Sequence, residues 1–153
     1  MLCIKNGTVH DGVHREGFRA DILVEDGKIK AIVEHVAGAH FMEIPAGTEM
    51  VDAEGLQVYP GFVEAHGHIG LDGYGIGYEG MDYNELNDII SPQMRGIDGV
   101  KPMDPAFPKA AGAGVTCVCV GPGSANVLGG TFTAIKTVGR RVDDMVVRDG
   151  VAM

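Results

Sequence analysis

The sequence has no tryptophan, only 6% aromatic residues, and three cysteines. No run of about 18 apolar residues occurs, so a membrane-spanning helix is not expected. The opening residues, MLCIKNGTVHDG, lack a basic stretch followed by an apolar core, so no secretory signal is expected either. Cys3, Cys117 and Cys119 are odd in number and lack the spacing of a disulfide framework. They read as reduced thiols in a cytoplasmic protein. Positive charge is also scarce. Twelve Lys and Arg stand against 21 Asp and Glu, a net charge of −9. Such a chain repels phosphate backbones, which argues against nucleic acid as a partner.

Glycine is plentiful, at 24 residues, and 45% of the 153 residues are hydrophobic. This is a globular composition with many tight turns. Residues 1–59 read as short strands and turns. Ile22 and Val24 lead into Asp26-Gly27, a hairpin signal, and Ile29, Ala31 and Val33 continue on one face of the returning strand. Leu2–Ile4, Glu49–Asp52 and Leu56–Tyr59 are further strand candidates. Together they suggest a small antiparallel sheet.

Pro60-Gly61 marks a break, and the pattern then changes. Phe62, Val63 and Ala65 form an apolar run of the kind expected for a strand buried on both faces. A long glycine-rich segment follows from Gly70 to about Lys101, with Asn84–Ile90 as one or two helical turns. Loops of this length are usually functional. Asp104-Pro105 predicts a helix start, with the helix running to about Ala111. VTCVCV, residues 115–120, reads as a second buried strand. After the glycine loop GPGSANVLGG, Thr131–Val138 and Asp144–Val147 are the last strand candidates. Strand, loop, helix, strand is how a β/α barrel begins. Such a barrel takes roughly 250 residues, and about 90 follow Pro60.

The apolar run from Phe62 ends in His66-Gly67-His68. Residues two apart on a strand face the same side, about 7 Å apart along it. Two imidazoles so placed can converge on one metal ion, and zinc accepts them. Gly67 between them would allow close approach of another segment. The C-terminal end of a barrel strand is also where barrel active sites sit. Spacing alone leaves an ordinary packed or surface histidine pair as the alternative.

PGFVEAHGHIG resembles the first barrel strand of the amidohydrolase superfamily, whose pattern is Pro-Gly, two apolar residues, Asp-x-His-x-His. Glu64 stands here where Asp is usual. The upstream IKNGTVHDG, ADILVEDGKIKAI and VDAEGLQVYPG resemble the N-terminal β-sandwich segment of cytosolic amidohydrolases. AGVTCVCVGPGSANVLGGTFTAIKT is similar to the second strand and following loop of an imidazolonepropionase-like subgroup. The resemblance implies an α/β protein, with a β-sandwich segment at 1–59 and an incomplete (β/α)8 barrel at 60–153. It implies His66 and His68 as ligands of one or two divalent ions, zinc first, with manganese or iron as alternatives. The metal would activate a water to attack the carbonyl carbon of a small amide-type substrate. The family's remaining ligands and its general base come from later strands, and no histidine follows His68 in this sequence. The chain is therefore expected to be the N-terminal portion of such an enzyme.

Other residues are weighed against plainer roles. The loop after the pair offers Tyr74, Tyr78 and Glu79, with Asp72 and Asp82, as substrate contacts or as cover for the barrel mouth. Ser124 and Asn126 in GPGSANVLGG are substrate candidates or ordinary turn residues. That loop lacks the Lys-Ser/Thr of a phosphate cradle. Cys117 and Cys119 read as small core residues, and Lys136 as a solvated side chain. Asp143 and Asp144 fit a turn beside a strand, and His10, His14, His35 and His40 read as surface residues. A rival reading makes the chain a non-catalytic remnant, or half of a split enzyme. Its open strand edges would then bind a complementary C-terminal fragment or a second copy.

Overall fold

The computed structural model describes residues 1–37 and 42–153, so His40 lies outside the described residues. Two compact units divide at Pro60: Met1–Pro60 and Gly61–Met153. Among the described residues, no helix is long and apolar enough to cross a membrane.

The first unit is one five-stranded sheet. Its strands are β1 (Leu2–Val9), β2 (Phe18–Glu25), β3 (Lys28–Glu34), β4 (Glu49–Asp52) and β5 (Gln57–Val58). The order is β3-β2-β1-β4, with β5 also on β1. The β2–β3 hairpin closes where the turn chemistry predicts, with φ of 50° at Asp26 and 73° at Gly27. The expectation of an antiparallel sheet holds for β1, β2 and β3 and fails for the rest. Both β4 and β5 pair with β1 in parallel.

Val9, Ala20 and Ile22 form the small core of this unit. Two histidines expected at the surface are partly buried and engaged. His10 stacks on Tyr59 at 4.3 Å and meets Gln57 at 2.6 Å. His35 meets the buried carboxylate of Asp21 at 2.9 Å. His14 is exposed, beside Asp11. Cys3 is fully buried, and burial, followed by the charge of Asp21, pushes its thiol pKa up. That suits a core residue, not a reactive one.

The second unit is a mixed sheet of order β6-β7-β8-β9. The strands are β6 (Phe62–Gly67), β7 (Val115–Val120), β8 (Phe132–Lys136) and β9 (Val146–Ala152). β6 and β7 are parallel and joined through helix α2 (Ala106–Gly112), which makes a β-α-β unit. β8 and β9 then return antiparallel. The short helices are α1 (Gly96–Gly99) and α3 (Val142–Met145), the latter carrying Asp143 and Asp144 in its first turn. Asp104 Oδ1 accepts the Ala106 N–H at 2.8 Å at the start of α2. Asn84–Ile90, expected to be helical, is irregular. Its backbone groups and those just beyond it bond instead to the glycine loop, which removes the need for a helix.

β6 corrects another expectation. Phe62 is 58% and Val63 64% exposed, so the strand is not buried on both faces. It is an edge strand, and α2 packs on β7 while α1 packs on β8. The covering layer thus lies over the inner strands. Leu71, Phe107, Val120, Ile135 and Met145 make the core beneath it. Cys117 is buried and Cys119 partly so, while Lys136 is exposed, as expected.

Phe107 is 2% exposed, and Phe107→Ala is expected to destabilise the second unit by about 3–5 kcal/mol. Val63→Thr on exposed β6 should change stability by no more than about 0.5 kcal/mol. Urea denaturation of the two variants checks both, and equal losses would contradict the observed distribution of burial.

Candidate functional site: a histidine pair held by a glycine loop

The parallel register of β6 and β7 sets Gly67 opposite Val120. The next residues, His68 and Gly121, are therefore neighbours although 53 positions apart. His68 Nδ1 lies 2.8 Å from the Gly121 carbonyl oxygen. A carbonyl only accepts, so Nδ1 must carry the proton. In the neutral ring Nε2 is then left with a lone pair. This is how a metal-binding imidazole is usually oriented, with its second nitrogen donating to a fixed acceptor.

His66, on the last turn of the pleat, is exposed. Its ring centroid lies 5.2 Å from that of His68, nearly perpendicular to it. The other neighbour of His66 is Phe132 at the start of β8, at 4.9 Å. Glu64 Oε1 accepts the His66 backbone N–H at 3.2 Å, so Glu64 serves its own strand. His68 is closed on one face by Tyr83, stacked at 4.8 Å and 10°.

Gly121 links the two histidines. Its carbonyl holds His68, and a Cβ at this position would lie 2.4 Å from the Phe132 ring that packs on His66. The expected close approach at Gly67 falls here instead. A Cβ at Gly67 would make only an ordinary 3.4 Å contact with Val118. The rest of the glycine loop is zipped to the segment from Tyr83 to Gly96. Gly123 N–H donates to the Tyr83 carbonyl at 2.6 Å, Ser91 N–H to Leu128, and Thr131 N–H to Met94. Asn126 Nδ2 donates to the carbonyls of Glu85 and Asp88, both at 2.8 Å.

Asn126 thus acts as a staple between two loops. Ser124 is exposed. Tyr74 donates its backbone N–H to Asp104 and holds the Lys109 ammonium at its hydroxyl. Tyr78 is 76% exposed on a one-turn 3-10 helix (Tyr78–Gly80), which also carries exposed Glu79. None of these five lines the cavity to which Tyr83 contributes. That cavity, of about 350 Å³, is walled by Tyr83, Asn84, Glu85, Arg95, Asp98 and Pro122, among others. Tyr83 and Gly121 were not legible as site residues in the sequence. The one available signal was the parallel pairing of β6 with VTCVCV, which carries Gly121 to His68.

Two imidazoles, one with a fixed tautomer, fit the first two positions of a divalent-metal site. Among the described residues, no group of three or more His, Cys, Asp or Glu converges.

An amidohydrolase of known structure from Thermotoga maritima MSB8 superposes over 99% of this chain, with a TM-score of 0.88 and 37% identity. The chain belongs to the amidohydrolase superfamily. It covers 38% of that Thermotoga chain. Amidohydrolase tasK of Hapsidospora irregularis is 37% identical over 131 residues, 84% of this chain and 13% of its own length. A protein named Allantoinase from Escherichia coli O1:K1 / APEC is 43% identical over 72 residues, 47% of this chain and 14% of its own. The chain thus corresponds to a minor part of each of these amidohydrolases. No protein-family model matches it.

Gly121→Ala is expected to displace Phe132 from His66. The ring-current shifts of the His66 side-chain protons measure this. Unchanged shifts would mean that the loop does not position the pair.

Proposed function

We propose that this chain carries the first metal-binding strand of a metal-dependent hydrolase acting on carbon–nitrogen bonds of cyclic or linear amides other than peptides. The observation that carries the reading is the His68 Nδ1 bond to Gly121, with His66 beside it at the C-terminal end of β6. His66 and His68 would hold the ion, zinc by preference. A bound divalent ion supplies Lewis acidity and makes a water acidic enough to attack an amide carbon near neutral pH. The protein's own contribution is orientation. Gly121 fixes the tautomer of His68, Tyr83 shields one of its faces, and Phe132 limits the swing of His66.

The finer architecture follows the same reading. The first unit would be part of a β-sandwich, and the β6-α2-β7 unit the opening of a (β/α)8 barrel. Further ligands and the general base would come from residues outside this chain, on a longer polypeptide or a complementary fragment. Exposed Val63 on edge strand β6 favours such a partner, because an apolar sheet edge invites pairing. The setting would be cytoplasmic, with the three thiols reduced.

Zinc titration of this chain assembled with the complementary part of the enzyme tests the reading. The expected outcome is near-stoichiometric binding, lost when His66 and His68 are both changed to Ala. Unchanged zinc content in the double variant would overturn it.

A further inference from the structure

The irregularity in β1 carries a chemistry of its own. The pairing of β1 with β2 slips between Ile4 and Gly7, and Asn6 takes a left-handed φ of 62° there. Asparagine is favoured in that region among residues with a side chain. At Gly7 nothing larger fits, because a Cβ would lie 2.6 Å from Val58 Cγ2. Two steric constraints thus place an Asn-Gly pair inside the sheet. Asn6 also joins three strands. Its backbone N–H donates to the buried carboxylate of Asp21 on β2 at 2.8 Å. Its Nδ2 donates to Asp52 Oδ1 on β4 at 3.0 Å. That side-chain bond is the foremost cause holding the Asp52 carboxyl pKa below its usual range.

We propose that Asn6 is a deamidation site guarded by Asp52, and that its conversion loosens β4 from β1. In the reaction the Gly7 nitrogen bonds to Asn6 Cγ. The Cγ–Nδ2 bond breaks, the proton of the Gly7 N–H goes to Nδ2, and ammonia leaves. A five-membered imide remains. Water then adds to either imide carbonyl and opens the ring to an aspartate or an isoaspartate at position 6. Glycine suits the attacking position because it has no side chain to hinder the nitrogen and its backbone is permissive. The native geometry slows the first step, since the side-chain amide must leave Asp52 before its carbon meets Gly7. The product reverses the interaction. A donor becomes a carboxylate facing the Asp52 carboxylate, and like charges that close repel. An isoaspartate also adds a methylene to the backbone just before Gly7–Val9, which pair with β2 and β5.

The test incubates the same assembly as the zinc titration at mildly alkaline pH. Trypsin then releases NGTVHDGVHR, from Asn6 to Arg15, in which Asn6 is the one asparagine. Mass spectrometry reads its conversion against an unincubated sample. Slow conversion is expected in the unmodified protein. Asp52→Ala should speed it at least about fivefold, the weight of one exposed hydrogen bond to a charged group. Asp52→Asn keeps the shape and an uncharged acceptor, so its rate should fall between the two and decides the matter if the alanine variant unfolds. Asn6→Asp imitates one product directly. In it, hydrogen exchange at the Ala53 amide, which donates to the Lys5 carbonyl at 2.8 Å, should be faster. Equal conversion in the unmodified protein and both Asp52 variants would overturn the guarding role. No conversion at Asn6 in any of the three would overturn the site, and unchanged exchange at Ala53 in Asn6→Asp would overturn its consequence for β4.

Discussion

The second unit is organised around one hydrogen bond, from His68 Nδ1 to the carbonyl of Gly121. It requires β6 and β7 to run parallel in the observed register, because only then do their ends lie side by side. It requires glycine at 121, because Phe132 occupies the space of a side chain. It also requires the loop after β7 to be held still. That is the work of the backbone bonds to the segment from Tyr83 to Gly96 and of the Asn126 staple. A neutral hydrogen bond of this kind contributes only about 0.5–1.5 kcal/mol. Its importance is positional, since it decides which nitrogen of His68 faces outward with a lone pair.

The two long loops, each irregular by itself, make one layer. The segment from Tyr83 to Arg95 has no helix, and the segment from Gly121 to Thr131 is rich in glycine. Their backbone groups satisfy one another, as buried polar groups must. Glycine is used here for proximity as much as for turning. Gly123 lies so close to Tyr83 that a Cβ would sit 2.6 Å from its ring, and the same ring stacks on His68.

Much of this was written locally in the sequence. The Asp26-Gly27 hairpin, the strand VTCVCV and the helix after Asp104 follow from short-range chemistry, and they form where it places them. The histidine pair was visible for the same reason, because its spacing needs only the two-residue period of a strand. What was not legible depends on distant pairing. The role of Gly121 exists only once β7 lies beside β6, and Tyr83 lies in a segment with no periodicity. The exposure of β6 was misread because an apolar run reports what a strand can bury, and here the covering helices lie over β7 and β8. The parallel pairing of β4 and β5 with β1 was hidden likewise, since short apolar runs do not report the direction in which they pair.

The tautomer of His68 in the metal-free chain is the most direct measurement. Long-range 1H–15N correlation at pH above the imidazole range distinguishes the two neutral forms of each ring. His68 is predicted to carry its proton on Nδ1, with Nε2 unprotonated, and to revert toward the Nε2–H form when Gly121 is replaced by a residue that displaces its carbonyl. An Nε2–H tautomer of His68 in the unmodified chain would contradict the orientation of the pair, and with it the use of Nε2 to hold an ion.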